Sequence, residues 1–162
     1  MTPIFLMDNL EEFIKEKTKD ILLEVKDRSG SNEPVRRAAD VYKFGLPEAD
    51  DAVQRVPYIL LKILTGTDSK KENEPPESIV KVRIIFAVYS RNEQDGTLSL
   101  LNLMLKVRSE LEKTGIIAKK YALQMPLEYI AYQDTTPPYY LGEMITSWSV
   151  PAITREVEEF LW

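Results

Sequence analysis

Apolar residues recur along the chain with two different rhythms, and each rhythm predicts elements. Near the start, Leu6, Leu10, Phe13, Ile14, Ile21 and Val25 fall close to one stripe at helical spacing. Glu11, Glu12, Lys15, Glu16, Lys19 and Asp20 cover the opposite side. This predicts an amphipathic helix, begun by Thr2 with Pro3 or by Asp8 with Glu11, whose stripe packs on a core. Polar turn residues over Lys26–Pro34 predict a loop, and Arg36–Phe44 a short strand ending at Gly45. The unbroken apolar run Tyr58–Leu64, closed by Thr65-Gly66, reads as a central strand buried on both faces. Thr67–Glu77 is polar and contains a double proline, which reads as a long exposed connection.

From Ser78 to Ser90 the rhythm is two. Ile79, Lys81, Arg83 and Ile85 share one face, and Val80, Val82, Ile84, Phe86 and Val88 the other. That strand and the Tyr58 run are expected to pair antiparallel. Helical spacing returns at Leu100, Leu103, Met104, Val107 and Leu111, predicting the main core helix, capped by Asp95 or Thr97 and stopped at Gly115. Ile116–Gln124 leads into a further strand, and Met125–Tyr129 with Tyr132–Thr136 reads as an extended link. In the last strand Ile145, Ser147 and Ser149 point one way and Met144, Thr146, Trp148 and Val150 the other. Pro151, which has no N–H to donate, ends it. One greasy and one lightly polar face suit a strand between a sheet and a partner surface. The expected fold is α+β: a mostly antiparallel sheet of about four strands, with two main helices packed on one face. One domain is expected over residues 1–162, with 152–162 as a C-terminal arm ending in Phe160, Leu161 and Trp162.

Composition narrows the chemistry. Hydrophobic residues make up 44% and charged residues 29%, an ordinary globular balance. The chain holds no histidine and no cysteine, which removes the commonest general base, the commonest zinc ligands and every thiol nucleophile. A net charge of −5 argues against broad nucleic-acid binding. No apolar run approaches the roughly 20 residues needed to cross a bilayer, and the N-terminus lacks the basic start of a signal peptide. Glu48, Asp50 and Asp51 offer oxygen ligands to a hard cation, but without the register of a calcium loop, so no metal and no cofactor is expected. Tyr129, Tyr132, Tyr139 and Tyr140 cluster as a base-stacking platform would; lacking interleaved basic residues, they read instead as sheet-edge or subunit contacts. No serine–lysine hydrolase arrangement is expected to carry chemistry, and no dinucleotide, phosphate-loop or nucleophile-elbow motif occurs.

The order of these elements resembles the tail terminator (tail completion) proteins of long-tailed bacteriophages and related prophage or contractile particles. The residues that carry the resemblance are Val41–Pro47 (VYKFGLP), Val56–Leu61 (VPYILL), and above all Pro137–Trp148 (PPYYLGEMITSW) continued by Val150–Glu156 (VPAITRE). The resemblance implies a structural protein and no enzyme. Six copies would close into a ring on the head-proximal end of the tail tube, ending tube growth and presenting a surface to the head. Its implied partners are further copies of itself, the tail-tube protein and a head completion or neck protein; its implied location is the virion tail, assembled in the bacterial host cytoplasm. Candidate assembly contacts are Asp50, Asp51, Lys70, Lys71, Glu72, Tyr139, Tyr140, Trp148, Arg155 and Trp162. Lys70 and Lys71 facing Asp50 and Asp51 of a neighbour would set register and association rate more than affinity. Three alternatives remain at this stage: a head–tail connector or neck protein, a small metal-dependent phosphodiester hydrolase using Glu48, Asp50 and Asp51, and a monomeric adaptor domain.

Overall fold

The alternating stretch after Pro76 becomes the spine of the molecule. A computed structural model of the chain describes residues 2–26, 35–48, 55–133 and 136–155. In chain order its elements are helix α1 (Thr2–Thr18), strands β1 (Leu23–Val25), β2 (Val35–Arg37), β3 (Asp40–Lys43), β4 (Tyr58–Ser69) and β5 (Glu77–Tyr89), helix α2 (Glu93–Thr114), and strands β6 (Ile116–Ile117), β7 (Tyr121–Ala131) and β8 (Tyr139–Val150). Six strands form one sheet in the order β3-β4-β5-β8-β7-β6, and β1 and β2 form a separate antiparallel pair.

The expected four-stranded, mostly antiparallel sheet is therefore corrected. The sheet has six strands and is mixed, because β3 runs parallel to β4. The overall α+β character stands. Neither the parallel pairing of β3 nor the two-residue β6 carries a sequence signal, and three further segments differ from the expected elements in extent. Thr65–Ser69 is rich in turn formers, yet β5 residues Glu77–Lys81 draw it into the ladder, and only a short turn remains at the tip. Met125–Tyr129, expected as a link, lies inside β7, where the register shift between Gln124 and Glu128 accommodates Pro126. Ile21 and Val25, expected on the first helix, lie beyond its end at Thr18, and Val25 belongs to β1. There the Thr18 hydroxyl turns back to donate to the Ile14 carbonyl, and Ile21 N–H bonds to Thr18 O.

Register places one apolar face under both helices. Val80, Val82, Ile84, Phe86 and Val88 of β5 pair with Trp148, Thr146, Met144, Gly142 and Tyr140 of β8. On that face sit Leu6, Leu10 and Ile14 of α1, and Leu100, Leu103, Val107 and Leu111 of α2, in one contiguous buried cluster. Burial of each such side chain contributes about 1.5–3 kcal/mol. Asn92 caps α2, its side chain accepting from Gln94 N–H and Asp95 N–H, three residues before the expected cap. Gly115, at φ 71°, ends the helix as expected. Lys43 of β3 ties the sheet edge to α1 through Asp8 and Glu11.

Candidate assembly surfaces

Among the described residues, no helix covers the opposite face of the sheet. Across it, rows of residues run from β4 to β7, set by the same register. One row is Lys62, Arg83, Ile145 and Glu128; the next is Leu60, Ile85, Glu143 and Ile130. Arg83 Nε donates to Glu143 Oε2 and its Nη2 to the Tyr132 hydroxyl, so the centre of the face is a neutralised pair. The rings of Tyr89 and Tyr139 lie 5.6 Å apart at one end, and those of Tyr42 and Tyr58 lie 6.5 Å apart at the β3 side. A shallow cleft of about 540 Å³ lies beside Leu127, Glu128, Ile130, Glu143 and Ile145.

The sheet also ends in two open strand edges. β4 has 12 residues, of which β3 pairs with four (Tyr58–Leu61), so Lys62–Ser69 pair only with β5 among the described residues. Every residue of Lys62–Ser69 is exposed, including Ile63 at 39% and Leu64 at 49%. β7 has 11 residues, of which β6 covers Tyr121 and Ala122 and Gly115 O takes the Leu123 N–H, leaving Gln124–Ala131 open on that side among the described residues. Met125, Tyr129 and Ile130 are exposed there. Beyond the β4–β5 tip, Asp68, Lys70 and Glu77 meet Ile153, Thr154 and Arg155 around a cleft of about 790 Å³.

The residues singled out from sequence divide into four groups. Lys70, Lys71 and Glu72 form the exposed β4–β5 turn, and Lys70 shares its cleft with Arg155. Tyr139 lies half-buried on the helix-free face. Tyr140 and Trp148 are core residues, 4% and 0% exposed, on the face beneath the helices. A Cβ at Gly96 of α2 would clash with the Tyr140 ring, and Trp148 Nε1 donates to the buried Thr146 hydroxyl. Both act by holding the sheet to the helices, and their burial takes them off the surface. Asp50, Asp51 and Trp162 lie outside the described residues. What the sequence reading missed are the open edges, whose signal was the exposed apolar pair Ile63-Leu64 running into polar strand.

Burial pushes the Tyr58, Tyr121 and Tyr140 phenols up, away from the range useful for proton transfer near neutrality. The expectation that no serine and lysine stand at the Ser-x-x-Lys spacing is corrected, since Ser78 and Lys81 do. On a strand this offset points them to opposite faces, and the Ser78 hydroxyl bonds to Asp68 instead. Among the described residues no three acidic side chains converge as a cation site, and no helix is long and apolar enough to cross a membrane. No model of a known protein family matches this chain, and no curated protein matches it.

Proposed function

We propose that this chain is a virion assembly protein that forms a ring, of six copies by the resemblance, at the head-proximal end of a phage-type tail tube. The ring ends tube polymerisation and offers its other side to the head. The sequence resemblance supplies the tail role. The structural observation that supports self-assembly is the pair of unlike open edges, β4 at Lys62–Ser69 and β7 at Gln124–Ala131, on opposite sides of one sheet. A ring with a single repeated contact needs two different surfaces on each copy, and those edges supply them. The uncovered sheet face adds a broad surface, with Tyr89, Tyr139, Ile145 and Ile130 around the neutral Arg83–Glu143 pair, for contact with the tube or the neck.

The test uses tail tubes and portal-bearing heads isolated separately from the particle that carries this chain. Addition of the protein to polymerising tubes should halt growth, and electron microscopy should place it at one tube end. Binding to portal-bearing heads without binding to tubes would move the assignment to a connector or neck protein. Binding to neither would remove the virion role.

A further inference from the structure

We infer that copies of this chain join edge to edge, with the open stretch of β4 from one copy adding antiparallel to the open stretch of β7 from the next. This specifies the contact within the proposed ring and depends on self-association, though not on the tail role. The occupant of each edge is a second copy because the two edges match in four respects. The first is length, eight open residues on β4 (Lys62–Ser69) and eight on β7 (Gln124–Ala131). The second is direction. β4, β5, β8 and β7 alternate in an antiparallel sense, so β7 runs opposite to β4 and a neighbour related by rotation keeps the alternation unbroken.

The third is the pattern of side chains. Both strands must present the same face to the helix side. On that side β4 offers Ile63 and β7 offers Tyr129, which lies against Arg108 of α2. On the helix-free side β4 offers Lys62 and β7 offers Glu128, the two ends of one row across the sheet. Neither charge forms an ion pair with another described residue. When the edges join with Ile63 opposite Tyr129, apolar meets apolar, and Lys62 lies diagonal to Glu128 on the other face, within reach of its opposite charge.

The fourth is the backbone. Asp40 N–H bonds to Pro57 O and Phe44 N–H to Leu61 O, so odd-numbered groups of early β4 face outward. The register shift at Ile63/Thr65 inserts one residue and turns Gly66 and Asp68 outward instead. On β7, Leu123 N–H bonds outward to Gly115 O while Tyr132 N–H bonds inward to Leu141 O, leaving Tyr129 and Ala131 facing out. These are the donors and acceptors that strand addition consumes.

Proline at an outward position removes a donor from the contact and none from the subunit. Gly66→Pro is suited to this, because no other atom lies within 4 Å of a Cβ built there. Tyr129→Pro blocks the other edge. Each variant, checked for unchanged circular dichroism, should lose self-association by roughly 10-fold or more, the loss of one or two hydrogen bonds with their strand contacts. Mixed in equal amounts, the two variants should form heterodimers and no larger species, since only one complementary pair of edges remains. Lys62→Glu and Glu128→Lys should each weaken association, and the double variant should recover it. Rings unaffected by Gly66→Pro would overturn the edge contact while leaving ring assembly intact. Dimers that form through β4 alone, insensitive to Tyr129→Pro, would overturn it in favour of a symmetric contact. A wild-type monomer at every concentration would overturn both this contact and the assembly role.

Discussion

Replacing Thr146 by valine tests how the core is held together. The Thr146 hydroxyl is fully buried, accepts from Trp148 Nε1 at 2.8 Å and donates to Val82 O at 3.2 Å. Valine keeps the shape and the β preference but leaves the Trp148 N–H inside the core without an acceptor. An orphaned buried donor costs about 1–3 kcal/mol, whereas the extra methyl group returns at most about 0.8 kcal/mol. The expected loss is therefore about 1–2 kcal/mol, and Thr146→Ser should lose less because it keeps the acceptor. For a chain of this length, that corresponds to about 2–4 °C in Tm per kcal/mol. Urea unfolding followed by circular dichroism, at one fixed protein concentration, measures it. Combining Thr146→Val with Trp148→Phe removes donor and acceptor together, so the double variant should lose less than the sum of the singles. A Thr146→Val protein within about 0.5 kcal/mol of wild type, or strict additivity in the cycle, would refute the reasoning.

Gly96→Ala should destabilise by about 1–3 kcal/mol through overpacking against the buried Tyr140 ring, despite the better helix propensity of alanine; thermal unfolding gives the sign. The β6–β7 turn holds Ala118 at φ 54° and Lys119 at φ 61°, with Lys120 N–H bonded to Ile117 O, so Ala118→Asn with Lys119→Gly should raise Tm. Hydrogen bonding to Asp8 raises the Lys43 pKa above its usual value. The stabilisation should thus be complete below the unfolded lysine pKa of about 10.4 and disappear as pH rises through the folded value. A Lys43→Gln difference that stays constant across that window would contradict the assignment. Reversing Lys70 and Lys71 to glutamate should slow association and flatten its salt dependence, as read by light scattering across ionic strengths; unchanged values would remove these lysines from the contact.

Periodicity alone made some elements legible and others not. β5 and the apolar side of β8 were readable because each buries one face under a helix, so alternate positions must be apolar. α2 was readable for the same reason at helical spacing, with Gly115 marking its end. β3 lies within the expected Arg36–Phe44 strand, but its parallel pairing with β4 was not legible, because it depends on a partner 18 residues away, Asp40 against Tyr58. The distal half of β4 and most of β7 pair without being buried, so no apolar alternation marks them. The same property hides the surfaces: exposed edges need no sequence period. Trp148 and Tyr140 misled in the opposite direction, since large aromatics suit a partner surface and a core equally, and only register assigns them to the helix side.

Native mass spectrometry over a wide range of protein concentration, with negative-stain images of the same samples, tests the assembly reading most directly. A species of six subunits that appears as rings is the expected result. A stable dimer that never forms rings would contradict it, as would a monomer that the ends of tail tubes fail to recruit.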